Sequence, residues 1–116
     1  EKIHRRLPNK SSVCVSLETN RYYPDIMGNC PEPAERVKQM KLIRHPLYIT
    51  IEPIMDFDLT EFVEMLKECG PLQVNIGADS GHNELPEPLK DKVLQLLDEL
   101  QKFTTIHNKT NLKRIL

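Results

Sequence analysis

Three absences narrow the class of protein to which this sequence belongs. No apolar run approaches the roughly 20 residues that a membrane-spanning helix needs, and the first ten residues, EKIHRRLPNK, lack the apolar centre of a secretory signal. The formal net charge is only −1, and no basic stripe is interleaved with aromatic side chains, which disfavours nucleic-acid binding. We therefore expect a cytoplasmic protein that acts without a membrane or a nucleic acid.

Cysteine is also scarce in this sequence. Cys14, Cys30 and Cys69 are an odd number at wide spacing, which argues against a disulfide framework and against a zinc knuckle. We expect three reduced thiols, and we assign no metal ligand from the cysteines.

The size of the chain is typical of one domain. A length of 116 residues with 39% hydrophobic side chains allows a modest core, so residues 1–116 are predicted to form a single α/β domain. Glu1–Leu7, EKIHRRL, resembles the end of a charged helix. We therefore expect this domain to be the C-terminal part of a longer barrel.

Segments rich in aliphatic and β-branched residues alternate with helical patterns at intervals of about 30 residues, which is typical of βαβ units and a parallel sheet. The fold class predicted is α/β, a parallel βαβαβαβ unit. The predicted strands are Val13–Glu18, Leu47–Glu52, Leu72–Gly77 and Phe103–His107.

Each of the three helical patterns has start signals and one apolar stripe. Pro31 and Pro33 open the first, and Pro86 and Pro88 open the third. Asp58 is predicted to cap the second, with Glu61 completing a capping box. The predicted stripes are Ala34, Val37, Met40 and Ile43 in the first helix, Leu59, Phe62, Val63 and Leu66 in the second, and Leu89, Val93, Leu96, Leu97 and Leu100 in the third.

Alternate residues of a strand point to opposite faces of a sheet, so each strand can be divided into two sets. One set is apolar and is predicted to pack under the helices: Val13, Val15, Leu17, Leu47, Ile49, Ile51, Leu72, Val74 and Ile76. The other set is mostly polar: Cys14, Ser16, Glu18, Asn20, Tyr48, Thr50, Glu52, Gln73, Asn75, Gly77, Asp79, Thr105, His107, Lys109 and Asn111.

A parallel sheet with one polar face is unusual, because such sheets normally have both faces buried. Closure into a barrel would place the polar face around a water-filled cavity, and four strands make half of an eight-stranded barrel. We therefore predict a half or partial TIM-type barrel. Glu18, Glu52 and Asp79 would surround its mouth at the carboxyl ends of the strands, where ligands bind in such folds, and Lys109 would supply a counter-charge.

The segments SVCVSLETN, YITIEPIMD, VNIGADSGH and HNKTNL together resemble the later half of a radical S-adenosylmethionine-like partial barrel. The likeness is to a poorly characterised phage and archaeal group, and it extends from Ser12 to Leu112. The resemblance implies that strand ends bind the cofactor or the substrate. The residues to which it assigns that role are Glu18, Asn20, Glu52, Asn75, Asp79 and Lys109, and it assigns no catalytic residue.

The resemblance also implies S-adenosylmethionine and a [4Fe–4S] cluster as cofactors. Family members hold the cluster with three closely spaced cysteines, usually C-x-x-x-C-x-x-C, and this chain contains no such motif. We therefore expect a preceding half-barrel to carry the cluster. That half, or a second copy of the chain, would also cover the exposed edges of the sheet.

Two other functions remain open from the sequence. The three acids Glu18, Glu52 and Asp79 are hard oxygen ligands, so a small Mg²⁺- or Mn²⁺-dependent hydrolase or lyase is one alternative. The other is a non-enzymatic α/β scaffold whose polar face binds a partner. A small-molecule ligand is compatible with the hydrolase or lyase and with the radical S-adenosylmethionine-like barrel.

Overall fold

The predicted α/β class is confirmed by a computed structural model that describes residues 11–81 and 83–116. Four parallel strands lie in the order β1-β2-β3-β4, and helices alternate with them along the chain. The predicted helix end at Glu1–Leu7 lies outside the described residues. No described helix is long and apolar enough to cross a membrane.

The elements are short and follow the predicted order. The strands are β1 (Val13–Ser16), β2 (Leu47–Ile51), β3 (Gln73–Ile76) and β4 (Thr105–Asn108). The helices are α1 (Pro24–Met27), α2 (Pro33–Met40), α3 (Leu59–Cys69) and α4 (Lys90–Leu100), and a 3₁₀ helix follows β4 at Thr110–Arg114. The helix α1, a single turn within the loop after β1, was not predicted.

The core lies between the apolar face of the sheet and α2, α3 and α4. Ile49, Val74 and Ile76 of the sheet are fully buried, as are Phe62 of α3 and Leu96 of α4. All five belong to one cluster of contacting side chains. Successive helices also pack against each other, α2 on α3 and α3 on α4. The helices therefore cover one face of the sheet, as the alternation of apolar residues predicted.

Three residues that were predicted to pack in the core are exposed instead. Each lies at or just before the start of a strand or helix. Leu72 is 56% exposed and lies one residue before β3, which begins at Gln73. Leu89 is 79% exposed because it precedes the first turn of α4. Ala34 is exposed, and its neighbour Pro33 is buried in its place. Periodicity is weakest at element boundaries, where the chain has not yet adopted the geometry that the pattern assumes.

The predicted capping box at α3 is also wrong. Asp58 is the residue before the helix, but its side chain makes no capping hydrogen bond. Its carboxylate instead accepts hydrogen bonds from Arg21 and Asn20. The local pattern predicted that the Asp58 carboxylate would bind the backbone amides at the start of α3. It pairs instead with Arg21 of the neighbouring loop.

Two leucines at opposite extremes of burial test the packing of α4. Leu96→Ala removes a fully buried side chain and is expected to lower the free energy of unfolding by about 2–5 kcal/mol. Leu89→Ala changes an exposed side chain and should alter it by less than about 0.5 kcal/mol. Urea unfolding of both variants measures the contrast, and equal losses would contradict this position of α4.

Candidate functional site

The polar side of the sheet consists of rows of side chains set by the strand register. The first row is Cys14, Tyr48, Gln73 and Thr105, and the second is Ser16, Thr50, Asn75 and His107. All eight side chains are exposed or partly exposed. We call these two rows the inner rows.

A third row follows at the carboxyl end of the sheet, and we call it the rim. Backbone hydrogen bonds continue the ladder beyond the strands, from Gly77 N–H to the Ile51 carbonyl at 3.0 Å and from Lys109 N–H to the Ile76 carbonyl at 2.8 Å. The rim residues in register are Glu18, Glu52, Gly77 and Lys109. Every charged side chain of these three rows therefore lies at the carboxyl edge.

Glu52 and Lys109 are the two predicted site residues that the fold brings into contact. Lys109 Nζ lies 2.5 Å from Glu52 Oε1, and Asn111 Nδ2 donates to Glu52 Oε2 at 2.9 Å. The Lys109 side chain is 39% exposed and that of Glu52 is 26% exposed. Asn111 Oδ1 in turn accepts from the Ala78 N–H at 3.1 Å. Both oxygens of Glu52 are thus held in place while Lys109 remains open to solvent.

Gly77 provides the space through which Glu52 reaches across the sheet. A Cβ at position 77 would lie 2.7 Å from Glu52 Oε2 and 2.8 Å from Asn111 Oδ1. Real Cβ atoms essentially never approach other atoms this closely. The missing side chain in the rim row is therefore a steric requirement of the Glu52–Lys109–Asn111 contact.

The hydrogen bonds to Glu52 keep it ionised. The pKa of its carboxyl group is lowered below the ordinary value of 4.5, chiefly by the hydrogen bond from Lys109 and then by that from Asn111, against an opposing effect of burial. The rim therefore presents a fixed carboxylate beside a primary ammonium group. Such a pair can bind a ligand that carries both hydrogen-bond donors and acceptors.

Glu18 lies in the same row but has a different partner. Its carboxylate pairs with Arg36 of α2, with Nη2 3.1 Å from Oε1, and Arg36 Nη1 also donates to the Ser16 carbonyl at 2.9 Å. Both side chains are largely buried, at 16% and 17% exposure. Arg36 was not predicted as part of the site. No local pattern indicates that this helix residue reaches the edge of β1.

Asn20 and Asp79 use their side chains to hold loops. Asn20 Oδ1 accepts from the Asp58 N–H at 2.8 Å, which joins the loop after β1 to the start of α3. Asp79 accepts from the backbone N–H groups of Gly81 and Asn83, at 3.0 and 2.7 Å. These backbone N–H groups lower the pKa of Asp79, with Asn83 as the largest contributor. Asn75 lies in the second inner row, where its Oδ1 accepts from Gln73 Nε2 at 2.8 Å.

A second group of ion pairs connects loops at the carboxyl end of the sheet. Arg21 pairs with Asp58 at 2.9 Å and with Asp56 at 3.0 Å, and Lys92 of α4 pairs with Asp56 at 2.7 Å. Burial by itself would raise the pKa of Asp56, but Lys92, the Phe57 N–H and Arg21 together lower it. This network connects the loop after β1, the loop after β2 and α4.

The side chains of the described residues do not form a site for an iron–sulfur cluster or for Mg²⁺ or Mn²⁺. Cys14 lies on the polar face, Cys30 is exposed after α1, and Cys69 lies on α3 beside Met40. Across 11–81 and 83–116, no group of three or more His, Cys, Asp or Glu side chains is arranged to hold a metal ion. Glu18, Glu52 and Asp79 each have separate partners instead of sharing one centre.

A cleft with a volume of about 300 Å³ lies beside Asp79. It is lined by Asp79, Glu84, Leu85, Glu87 and Arg114. Arg114 pairs with Glu87 and also donates to the Asp79 carbonyl at 3.1 Å. Its one basic side chain is thus already engaged with acceptors of the protein.

Comparison of the chain with protein-family models, with curated proteins and with solved structures gave no match. The resemblance to radical S-adenosylmethionine proteins therefore stays a hypothesis.

Filling the space at Gly77 tests the steric part of this arrangement. Gly77→Ala is expected to lower the free energy of unfolding by about 1–3 kcal/mol, because the new methyl group overlaps the Glu52 carboxylate. Glu52→Ala removes that carboxylate, so the double variant should lose less than the sum of the two single variants. Additive losses in urea unfolding would contradict the contact.

Acid titration tests the electrostatic part. Because the pKa of Glu52 is lower in the folded protein than in the unfolded chain, its ionised form stabilises the fold above the ordinary value of 4.5. This contribution is lost as the pH falls through the lowered value. The stability difference between wild type and Glu52→Gln should therefore shrink on acidification. A difference in unfolding free energy that is independent of pH would rule out this role.

Proposed function

We propose that the chain is the ligand-binding part of a radical S-adenosylmethionine-like partial barrel that acts in the cytoplasm. The observation that carries the proposal is the polar side of an all-parallel sheet, which ends in the charged rim of Glu52 and Lys109. Parallel sheets rarely leave one face uncovered, and ligands of such folds bind at the carboxyl ends of the strands. The rim is at that edge.

The chemistry of the rim suits the amino-acid end of S-adenosylmethionine. Glu52 supplies a carboxylate that can accept from an ammonium group, and Lys109 has donors beyond the one directed at Glu52. We assign the binding of these groups to Glu52 and Lys109. Bound S-adenosylmethionine would serve as the source of a carbon radical once it is reduced.

The reduction requires an iron–sulfur cluster, which we assign to a preceding half-barrel and not to the cysteines of this chain. That half would also pair with the edge of β1, and a second copy of the chain is the alternative partner for the same edge. Because parallel strands with free edges are prone to further pairing, either partner would protect the sheet.

Binding of S-adenosylmethionine tests the role of the rim. Isothermal titration of the chain should detect the ligand, and Glu52→Gln should weaken binding about tenfold or more, since hydrogen bonds to charged groups contribute about 1.5–3 kcal/mol. Glu99→Gln is the matched control, because Glu99 also pairs with a lysine, Lys102, but lies on α4 away from the rim. No binding, or equal weakening by both variants, would refute the proposal.

The radical chemistry has a separate test on the product of the complete reading frame. After anaerobic reconstitution, about four irons per chain and cleavage of S-adenosylmethionine under reduction would support the assignment. Absence of iron would refute the radical part and favour the second candidate, a non-enzymatic binding domain. That candidate is favoured by one observation: Glu18, Glu52 and Asp79 each already have protein partners.

A further inference from the structure

The two inner rows differ from the rim in the kind of side chain that they carry. Their eight positions include hydroxyl, amide, thiol and imidazole groups, with no Asp, Glu, Lys or Arg. Charged residues make up 28% of the chain, so about two of any eight positions would carry one on average, and more on a solvated surface. The charges begin abruptly at the rim.

The inner rows also keep much of their hydrogen-bonding capacity. Within the described part of the chain, two side-chain hydrogen bonds connect members of these rows, Gln73 Nε2 to Asn75 Oδ1 at 2.8 Å and Cys14 Sγ with Thr50 Oγ1 at 3.5 Å. The Asn75 amide retains two N–H donors, and Thr50 retains acceptor capacity. The surface therefore offers donors and acceptors of both kinds to a ligand.

The spacing of these groups suits a small ring that bears several hydroxyl groups. Neighbouring strands lie about 4.8 Å apart and successive side chains on one face about 6.7 Å apart. A sugar ring is wide enough to span two neighbouring strands and two successive rows. Its hydroxyl groups can therefore contact side chains of both strands and both rows together. Tyr48 adds an aromatic ring in the first row, against which the apolar side of a sugar can pack.

From this arrangement we infer that the inner rows bind an uncharged, polyhydroxylated ligand, a carbohydrate or a cyclic polyol. The inference rests on the proposed function, because it names the substrate class for the same face of the sheet. A charged ligand would lose part of its hydration at the inner rows and would find no side chain of opposite charge there. A hydroxyl-rich body exchanges hydrogen bonds with water for equivalent ones with Thr50, Asn75 and Gln73.

The test is a titration of the isotopically labelled chain followed by amide NMR. The probes are methyl β-D-glucopyranoside and myo-inositol, with cyclohexanol as the ring that carries a single hydroxyl group. We expect the two polyhydroxylated probes to shift the amide signals of β2 and β3 at millimolar concentration. Asn75→Leu should raise the dissociation constant about fivefold, the loss expected for one neutral hydrogen bond. Gln95→Leu, an exposed amide on α4, is the matched control.

Thr50→Val is a second variant, and it keeps the shape of the side chain. If the amide signals of the core residues do not change, misfolding is excluded as the cause of weaker binding. Equal shifts with cyclohexanol would overturn the inference, since the hydroxyl groups would then be irrelevant. Shifts at the rim with S-adenosylmethionine but none with the two polyols would overturn it and leave the proposed function standing. No response to any of these ligands would overturn both.

Discussion

The parallel hydrogen-bond ladder is the constraint on which the remaining structure depends. It sets β1 to β4 in one register, so that every second side chain of each strand joins a row across the sheet. One set of rows, which includes Ile49 and Val74, packs under the helices and forms the core. The other set lies on the uncovered side. The same ladder therefore determines both what stabilises the fold and which side chains are available to a ligand.

The position of Glu52 shows how the end of a strand becomes a site. Within the core, an ionised carboxylate would be costly to bury. At the rim, the absence of a side chain at Gly77 allows the carboxylate to meet Lys109 and Asn111. The resulting contact joins β2 to the segment after β4 across β3. It therefore links three of the four strands at the edge where binding is proposed.

Alternation and start signals were sufficient to predict the order of the four strands and the three longer helices, the parallel sheet and its polar face. They were also sufficient to place Glu52 and Lys109 in one region, because parity along a strand is a local property. Asn111 has the same parity as Lys109 and was assigned to the polar face, although the 3₁₀ helix that begins at Thr110 positions it. The partners of Glu18 and Asp58 were not predictable in this way, because Arg36 and Arg21 reach them from other segments. Long, flexible side chains make contacts that no short sequence window contains.

The contacts of Arg36 and Lys109 explain why two glutamates of similar sequence context have different roles. Glu18 and Glu52 both lie just beyond the end of a strand and both follow alternating apolar residues. Arg36 nevertheless pairs with Glu18 at the edge of β1, whereas Lys109 holds Glu52 across the sheet. A buried guanidinium leaves little freedom to its carboxylate, since separating the pair would expose an uncompensated charge to a poorly solvated region. Lys109 is more exposed and can exchange part of its hydrogen bonding with a ligand. We therefore assign the proposed recognition at the rim to Glu52 and Lys109, whereas the contacts of Glu18 hold the edge of β1 against α2.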